Sequence, residues 1–256
     1  MRDSPAEHRA RRTAGDGHAG WAAAPPILLC LALVTVLVAL APAWGGAAGA
    51  TPTVRATQEL VTLLAPHAVR SAPNWRAESL PSIAVRRPIT GVRTVLPLLG
   101  RAAGGWLHVR LPGRPNGSTG WIRAQATALS VTPWHIVVDT SKRSVLVYRA
   151  GRVVAIFRAI VGKPSTPTPA GTFFVEEPVR LSPEDVGAPF VLALSARSTV
   201  LQEFDGGPGQ IALHGLTNIG GVLGTAVSHG CVRLANSVMR WLVLRIGAGV
   251  PVTITN

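Results

Sequence analysis

The first strong pattern in the chain is an unbroken apolar run, ILLCLALVTVLVALAPA from Ile27 to Ala43, preceded by Arg2, Arg9, Arg11 and Arg12. A basic head before such a run, with small residues after it up to Ala50, is the pattern of an export segment over residues 1–50. Residues 51–79, rich in Ala, Pro and Thr, read as a spacer. It carries one short helical candidate, Gln58 to Leu64, ended by Ala65-Pro66. The pattern then changes to short β-branched and aromatic stretches, ITGVRTVLPLL, GGWLHVRL and GWIRA, separated by Gly-Gly, Pro-Gly and Asn-Gly. This predicts the strands of a small barrel over residues 80–130. After Pro133 a second β pattern begins with HIVVDT, SVLVYRAG and RVVAIFRAIVG, turning at Thr140-Ser141-Lys142 and at Ala150-Gly151, and marks a separate domain over 133–256. One helix is predicted near its end, capped at Asn236 or Ser237 and stopped by Gly247.

Composition and charge refine this picture. With 27 Gly, 21 Pro and 47% hydrophobic residues, the chain of 256 residues is turn-rich and apolar enough to bury cores, which excludes general disorder. The 25 Lys+Arg against 12 Asp+Glu are scattered singly and in pairs, without the basic run or interleaved aromatic stripe of a nucleic-acid binder. No nucleic-acid partner is expected. The run from Ile27 is near the short end for a bilayer span, and Ala48-Gly49-Ala50 offers a cleavage site. A cleaved signal and a retained anchor both fit, and in either case the chain beyond Thr51 faces outward. Membrane contact is then confined to the N-terminal segment, and the expected location is the cell envelope, anchored or secreted to the wall.

Cysteine use then singles out one residue. Cys30 lies inside the apolar run, so Cys231 is the only thiol of the exported part and has no intramolecular disulfide partner. It stands in Ser228-His229-Gly230-Cys231-Val232-Arg233-Leu234, with Ala212-Leu213-His214-Gly215 upstream across a Gly-rich loop. A His that accepts the thiol proton forms an ion pair and lowers the thiol pKa. Glycine beside the nucleophile lets the backbone approach a carbonyl, placing the N–H groups of Gly230 and Cys231 to hold an oxyanion. Zinc held by His214, His229 and Cys231 has suitable ligand types, but no fourth ligand lies nearby in sequence and CxxC-type spacing is absent.

The S-H-G-C arrangement with H-G upstream resembles the catalytic motif of the L,D-transpeptidase family. Gly162-Lys163-Pro164 followed by Thr166-Pro167-Thr168-Pro169-Ala170-Gly171-Thr172-Phe173 is similar to another segment of that family, and the resemblance covers Pro133 to Asn256. The preceding residues resemble bacterial SH3-like domains, with Trp106 after Gly104-Gly105 and Trp121 after Gly120. The expected fold class is mainly β: an L,D-transpeptidase-type β-sandwich with a C-terminal helix, plus a small SH3-like barrel.

The resemblance implies Cys231 as nucleophile, His214 as general base and His229 lining the site. It also implies that Gly215 offers a carbonyl to orient His214, that Ser228 and Gly230 support the loop, and that Arg233 and Asn218 contact substrate. The implied reaction removes the terminal D-Ala of a peptidoglycan tetrapeptide stem and passes the acyl group to a diaminopimelate amine on another stem, forming a 3→3 crosslink. It uses no metal and no cofactor. Two alternatives stand beside it: an L,D-carboxypeptidase releasing the same acyl-enzyme to water, and a non-catalytic wall-binding protein. His67, His108 and His135 read as structural, the Pro-Thr-Pro segment as a rigid turn, and Glu176, Glu177, Glu184 and Asp185 as a solvated acidic loop face.

Overall fold

Seven short strands come first in the part of the chain that the computed structural model describes, residues 53–256 apart from residue 205. They are β1 (Gln58–Leu63), β2 (His67–Arg70), β3 (Ser79–Ile83), β4 (Val95–Ala102), β5 (Trp106–Arg110), β6 (Thr119–Arg123) and β7 (Thr127–Thr132). They form one sheet in the order β3-β2-β6-β5-β4-β1-β7. The export segment over residues 1–50, with Cys30, lies outside the described residues. Among the described residues no helix is long and apolar enough to cross a membrane.

The segment read as a spacer with a helical candidate is instead part of this sheet. Gln58 to Leu63 lies between β4 and β7 as a strand, with Leu60, Val61 and Leu63 buried and Glu59 exposed opposite Arg101. Glu, Gln and Leu favour a helix locally, but pairing on both sides and the burial of three apolar side chains outweigh propensities of a few tenths of a kcal/mol each. Trp106 and Trp121, the two tryptophans singled out above, pack within the module. Trp106 is buried with its ring edge-on to Trp75, and Trp121 stacks on His108 with ring centroids 4.6 Å apart.

The second region contains β8 (Trp134–Asp139), β9 (Ser144–Arg149), β10 (Arg152–Arg158), β11 (Val161–Gly162), β12 (Gly171–Arg180), β13 (Phe190–Arg197), β14 (Gln210–His214), β15 (Ala226–Ser228), β16 (Val232–Arg233), α1 (Asn236–Val243) and β17 (Pro251–Thr255). Eight of these strands run β10-β9-β8-β17-β12-β13-β14-β16, and β11 pairs with β15 in parallel. The fold is therefore mainly β and sandwich-like, with a single short helix among the described residues. Met239 and Leu242 of α1 pack with Leu192, Leu194 and Leu213 of the sheet, where each fully buried aliphatic side chain contributes about 1.5–3 kcal/mol. The helix begins at Asn236 with no side-chain cap and ends at Val243, four residues short of Gly247. Asn236 does not cap it because its amide serves a loop described below.

The two regions share a boundary with little solvent. Phe174 of β12 packs with Leu63, Leu96 and Ile122 of the first sheet. Beside it the Glu176 side chain is fully buried and pairs with both Arg87 and Arg197, the latter at 3.0 Å. Glu177 accepts hydrogen bonds from the Thr90 N–H (2.9 Å) and hydroxyl (2.6 Å). Glu176 and Glu177 are thus not a solvated loop face. Guanidinium and hydroxyl groups from distant parts of the chain meet their carboxyl oxygens in the interior and supply the partners that burial requires.

Candidate active site

Two β strands bring the chemistry-bearing residues together. His214 ends β14, and the parallel register Leu213↔Val232, His214↔Arg233 sets β16 beside it. Because side chains alternate with a period of two, His214 and Arg233 share a face, and Cys231, two residues before Arg233, falls on it too. A cavity of about 70 Å³ is lined by His214, Ser228, His229, Cys231 and Arg233, and its outer wall is formed by Ser198, Leu201, Phe204 and Gly209. Six of the eight expected site residues are thus in one place: five line the cavity, and Gly230 joins Ser228 to Cys231 through the loop.

The His214 ring is held on two sides. Nδ1 lies 2.9 Å from the Gly215 carbonyl oxygen, which can only accept, so Nδ1 carries the proton and Nε2 keeps a free lone pair. Gly187 packs against the other side with φ +86°, where a Cβ would stand 2.5 Å from Nδ1. Gly215 leaves no room for a side chain either, since a Cβ there would meet Ala188 O and stand 2.6 Å from Asn236 Oδ1. The Asn236 amide accepts from Leu216 N–H (2.7 Å) and donates to Thr217 Oγ1 (2.7 Å), and Gly187 N–H donates to Thr217 O (2.8 Å). Neither Gly187 nor Asn236 stands out in the sequence. The only signal for Asn236 was its place ahead of an apolar helical run.

The loop carrying Cys231 is fastened by hydroxyls. Ser228 Oγ donates to Cys231 O at 2.6 Å and accepts from Gly230 N–H at 3.1 Å. Thr166 and Thr168, both buried, donate to Ser228 O (3.2 Å) and Gly230 O (2.9 Å). The Thr166–Pro169 segment is therefore a buckle under the Cys231 loop. Since Gly230 N–H is engaged by Ser228, it is not one of two open, successive oxyanion donors.

Burial favours the neutral form of both partners. It pushes the Cys231 thiol up from its usual value, with a backbone contact at Ala212 and the Arg233 charge opposing less strongly. It pushes His214 down, against the smaller effect of its Gly215 bond. A resting thiolate–imidazolium pair, expected from the sequence, is therefore disfavoured, and the thiol contacts Gln210 O at 3.9 Å. His229 is exposed and stacks on Phe204, with centroids 5.7 Å apart, at the cavity mouth. Among the described residues no group of His, Cys, Asp or Glu is arranged to hold a metal ion.

Asn218 is exposed, and the nitrogen of its side-chain amide is engaged within the protein. Its amide donates to Pro183 O (3.0 Å) and Glu184 O (2.9 Å), and its backbone is left-handed at φ 58°. It ties the loop of Glu184 and Asp185 to the segment after His214. The Arg233 backbone is fixed by reciprocal bonds with Ile160 (2.9 and 3.0 Å), and its Nε is buried without a partner.

The chain is similar to several solved structures. An L,D-transpeptidase from Mycobacterium smegmatis is 22% identical over 59% of this chain and 91% of its own, at a TM-score of 0.38. The L,D-transpeptidase of Enterococcus faecium is 23% identical over 48% of this chain, at a TM-score of 0.37, and only 49% of its own length is spanned. L,D-transpeptidase 3 from Mycobacterium tuberculosis, solved with a faropenem-derived adduct, is 16% identical over 64% of this chain and 91% of its own, at 0.41. No curated protein sequence matches the chain. Residues 133–254, which hold every residue of the Cys231 site, match the family model of YkuD, the L,D-transpeptidase catalytic domain.

Proposed function

We propose that the protein is a peptidoglycan L,D-transpeptidase in which Cys231 forms an acyl-enzyme, with His214 as its base, and which makes 3→3 crosslinks between stem peptides. The observation that carries this reading is the shared cavity of Cys231 and His214, with Nδ1 committed to Gly215 O and Nε2 left to take a proton. Because burial favours neutral thiol and neutral imidazole, proton transfer accompanies attack rather than preceding it. Cys231 Sγ bonds to the carbonyl carbon before the terminal D-Ala as its proton passes to Nε2. The departing D-Ala amine takes that proton and the thioester remains. A diaminopimelate side-chain amine then attacks the thioester and loses its proton to His214, which returns it to the sulfur as the new amide forms. With Gly230 N–H bonded to Ser228, the oxyanion role falls to Cys231 N–H.

The same reading makes the seven-stranded module an SH3-like unit facing the wall, and places the chain beyond Thr51 outside the cytoplasmic membrane, in keeping with the apolar run at Ile27–Ala43. The test incubates full-length protein and its Cys231→Ala variant with disaccharide-tetrapeptide fragments. A Cys231-dependent crosslinked dimer lacking one D-Ala supports the proposal. Tripeptide alone would replace it with carboxypeptidase action, and unchanged substrate would leave a wall-binding role.

A further inference from the structure

The wall of the Cys231 cavity opposite the nucleophile loop is not secured by the second region alone. Between β13 and β14 the chain makes a loop closed at its neck by Ser198 N–H donating to Gly209 O at 2.8 Å, and Ser198 Oγ accepts from Leu201 N–H at 3.0 Å. From outside, Arg114, in the turn between β5 and β6 of the first sheet, reaches over this loop. Its Nη2 donates to Ser198 O and to Leu201 O, both at 3.0 Å, and its Nε donates to Gln202 Oε1 at 2.9 Å. Two residues on, Asn116 makes a reciprocal pair with the backbone of Arg197, at 2.7 and 2.8 Å. Ser198, Leu201 and Gly209 all line the Cys231 cavity, and the next residue, Gln210, offers the carbonyl that the thiol contacts.

We infer that Arg114, supplied by the N-terminal module, is a positioning residue for the Cys231 cavity: its planar guanidinium sets the wall against which the substrate acyl group packs. The inference rests on the acyl-transfer reading given above. It gives the seven-stranded module a role in shaping the site itself. One guanidinium fans its donors over three acceptors on the five-residue arc from Ser198 to Gln202, which the point charge of a lysine does not reproduce. With so small a cavity, a wall displaced by about 1 Å is enough to misplace an acyl group, a shift associated with rate losses on the order of a hundred-fold.

The experiment uses full-length protein and three variants: Arg114→Ala, Arg114→Lys and Thr90→Val. Thr90→Val loosens the module at its separate contact with Glu177 and leaves the 198–209 loop untouched. Each protein is assayed for Cys231 acylation by a carbapenem-type β-lactam, for Cys231 alkylation by iodoacetamide, and for amide exchange over residues 198–210. Arg114→Ala is expected to lose ten- to a hundred-fold in acylation, to alkylate at least as fast as wild type as the wall opens, and to lose exchange protection in that loop. Arg114→Lys should recover part of the acylation, and Thr90→Val should match wild type in all three. Folded Arg114→Ala with wild-type acylation and loop protection overturns the inference, as does equal damage from Thr90→Val. Should Arg114→Ala fail to fold, Arg114→Lys with wild-type acylation and loop protection overturns it equally. If wild-type Cys231 is alkylated but never acylated, the acyl-transfer reading fails, while loop exchange and alkylation still decide whether Arg114 holds the wall.

Discussion

Replacing Gly187 by alanine puts a methyl group where the His214 ring already stands. The new Cβ would lie 2.5 Å from Nδ1, 3.0 Å from Cγ and 3.3 Å from Cβ of His214, against an ordinary separation of about 3.5–4 Å. The ring must therefore retreat by roughly 1 Å, or the 185–188 turn must open and strain the Gly187–Thr217 and Gly215–Gly187 backbone bonds. An alanine at φ +86° adds about 1–2 kcal/mol of backbone strain to that displacement. A combined loss of about 1–3 kcal/mol lowers Tm by roughly 3–10 °C, so the variant stays folded at 25 °C. Its acylation rate, read by intact mass after exposure to a carbapenem-type β-lactam, should fall on the order of a hundred-fold because the base no longer meets the sulfur. Alkylation of Cys231 by iodoacetamide, which needs no base in place, should change little. Folded Gly187→Ala with an unchanged acylation rate would refute the reasoning, since it would mean that the orientation of His214 does not limit the reaction.

Other outcomes follow from the same contacts. Glu176→Ala leaves Arg87 and Arg197 facing each other in the interior, and urea unfolding should show a loss of about 3–5 kcal/mol; a loss under 1 kcal/mol would show that the cluster contributes little. His135, donating to or accepting from Thr253 Oγ1 at 2.8 Å, has its pKa pushed down by burial to about 4. The unfolded chain therefore binds the extra proton first, and stability present above pH 6.5 is lost as pH falls toward 4, by up to ~2–3 kcal/mol. His135→Gln should flatten that window in a pH series of urea midpoints. Burial also lowers the pKa of His214, so the acid limb of the acylation rate should lie below the usual histidine value of 6.5, and a limb above it would contradict a neutral resting base.

The strands β8 to β10 and the Cys231 loop were legible in the sequence because each depends on local signals: alternation broken by turn residues, and a thiol flanked by His and Gly. His214 was singled out by its motif, and in the folded chain its Nδ1 lies 2.9 Å from the Gly215 carbonyl oxygen. What escaped depends on pairings distant in sequence. Nothing near Glu176 announces Arg87 or Arg197, so it read as a solvated carboxylate. Gln58 to Leu63 looks helical until β4 and β7 enclose it. Asn236 and Asn218 have side chains suited to caps and ligands, and only the folded chain shows them committed to Leu216, Thr217 and the 183–184 carbonyls. Arg114, one of many scattered arginines, gains a role only where the β5–β6 turn reaches the 198–202 loop.

Acyl transfer through Cys231 is read out by mass spectrometry of disaccharide-tetrapeptide fragments incubated with the full-length protein and with its Cys231→Ala variant. A crosslinked dimer that has lost one D-Ala is expected from the wild-type protein and not from the variant. Unchanged substrate with the wild-type protein, or the same dimer formed without Cys231, would contradict acyl transfer through that residue.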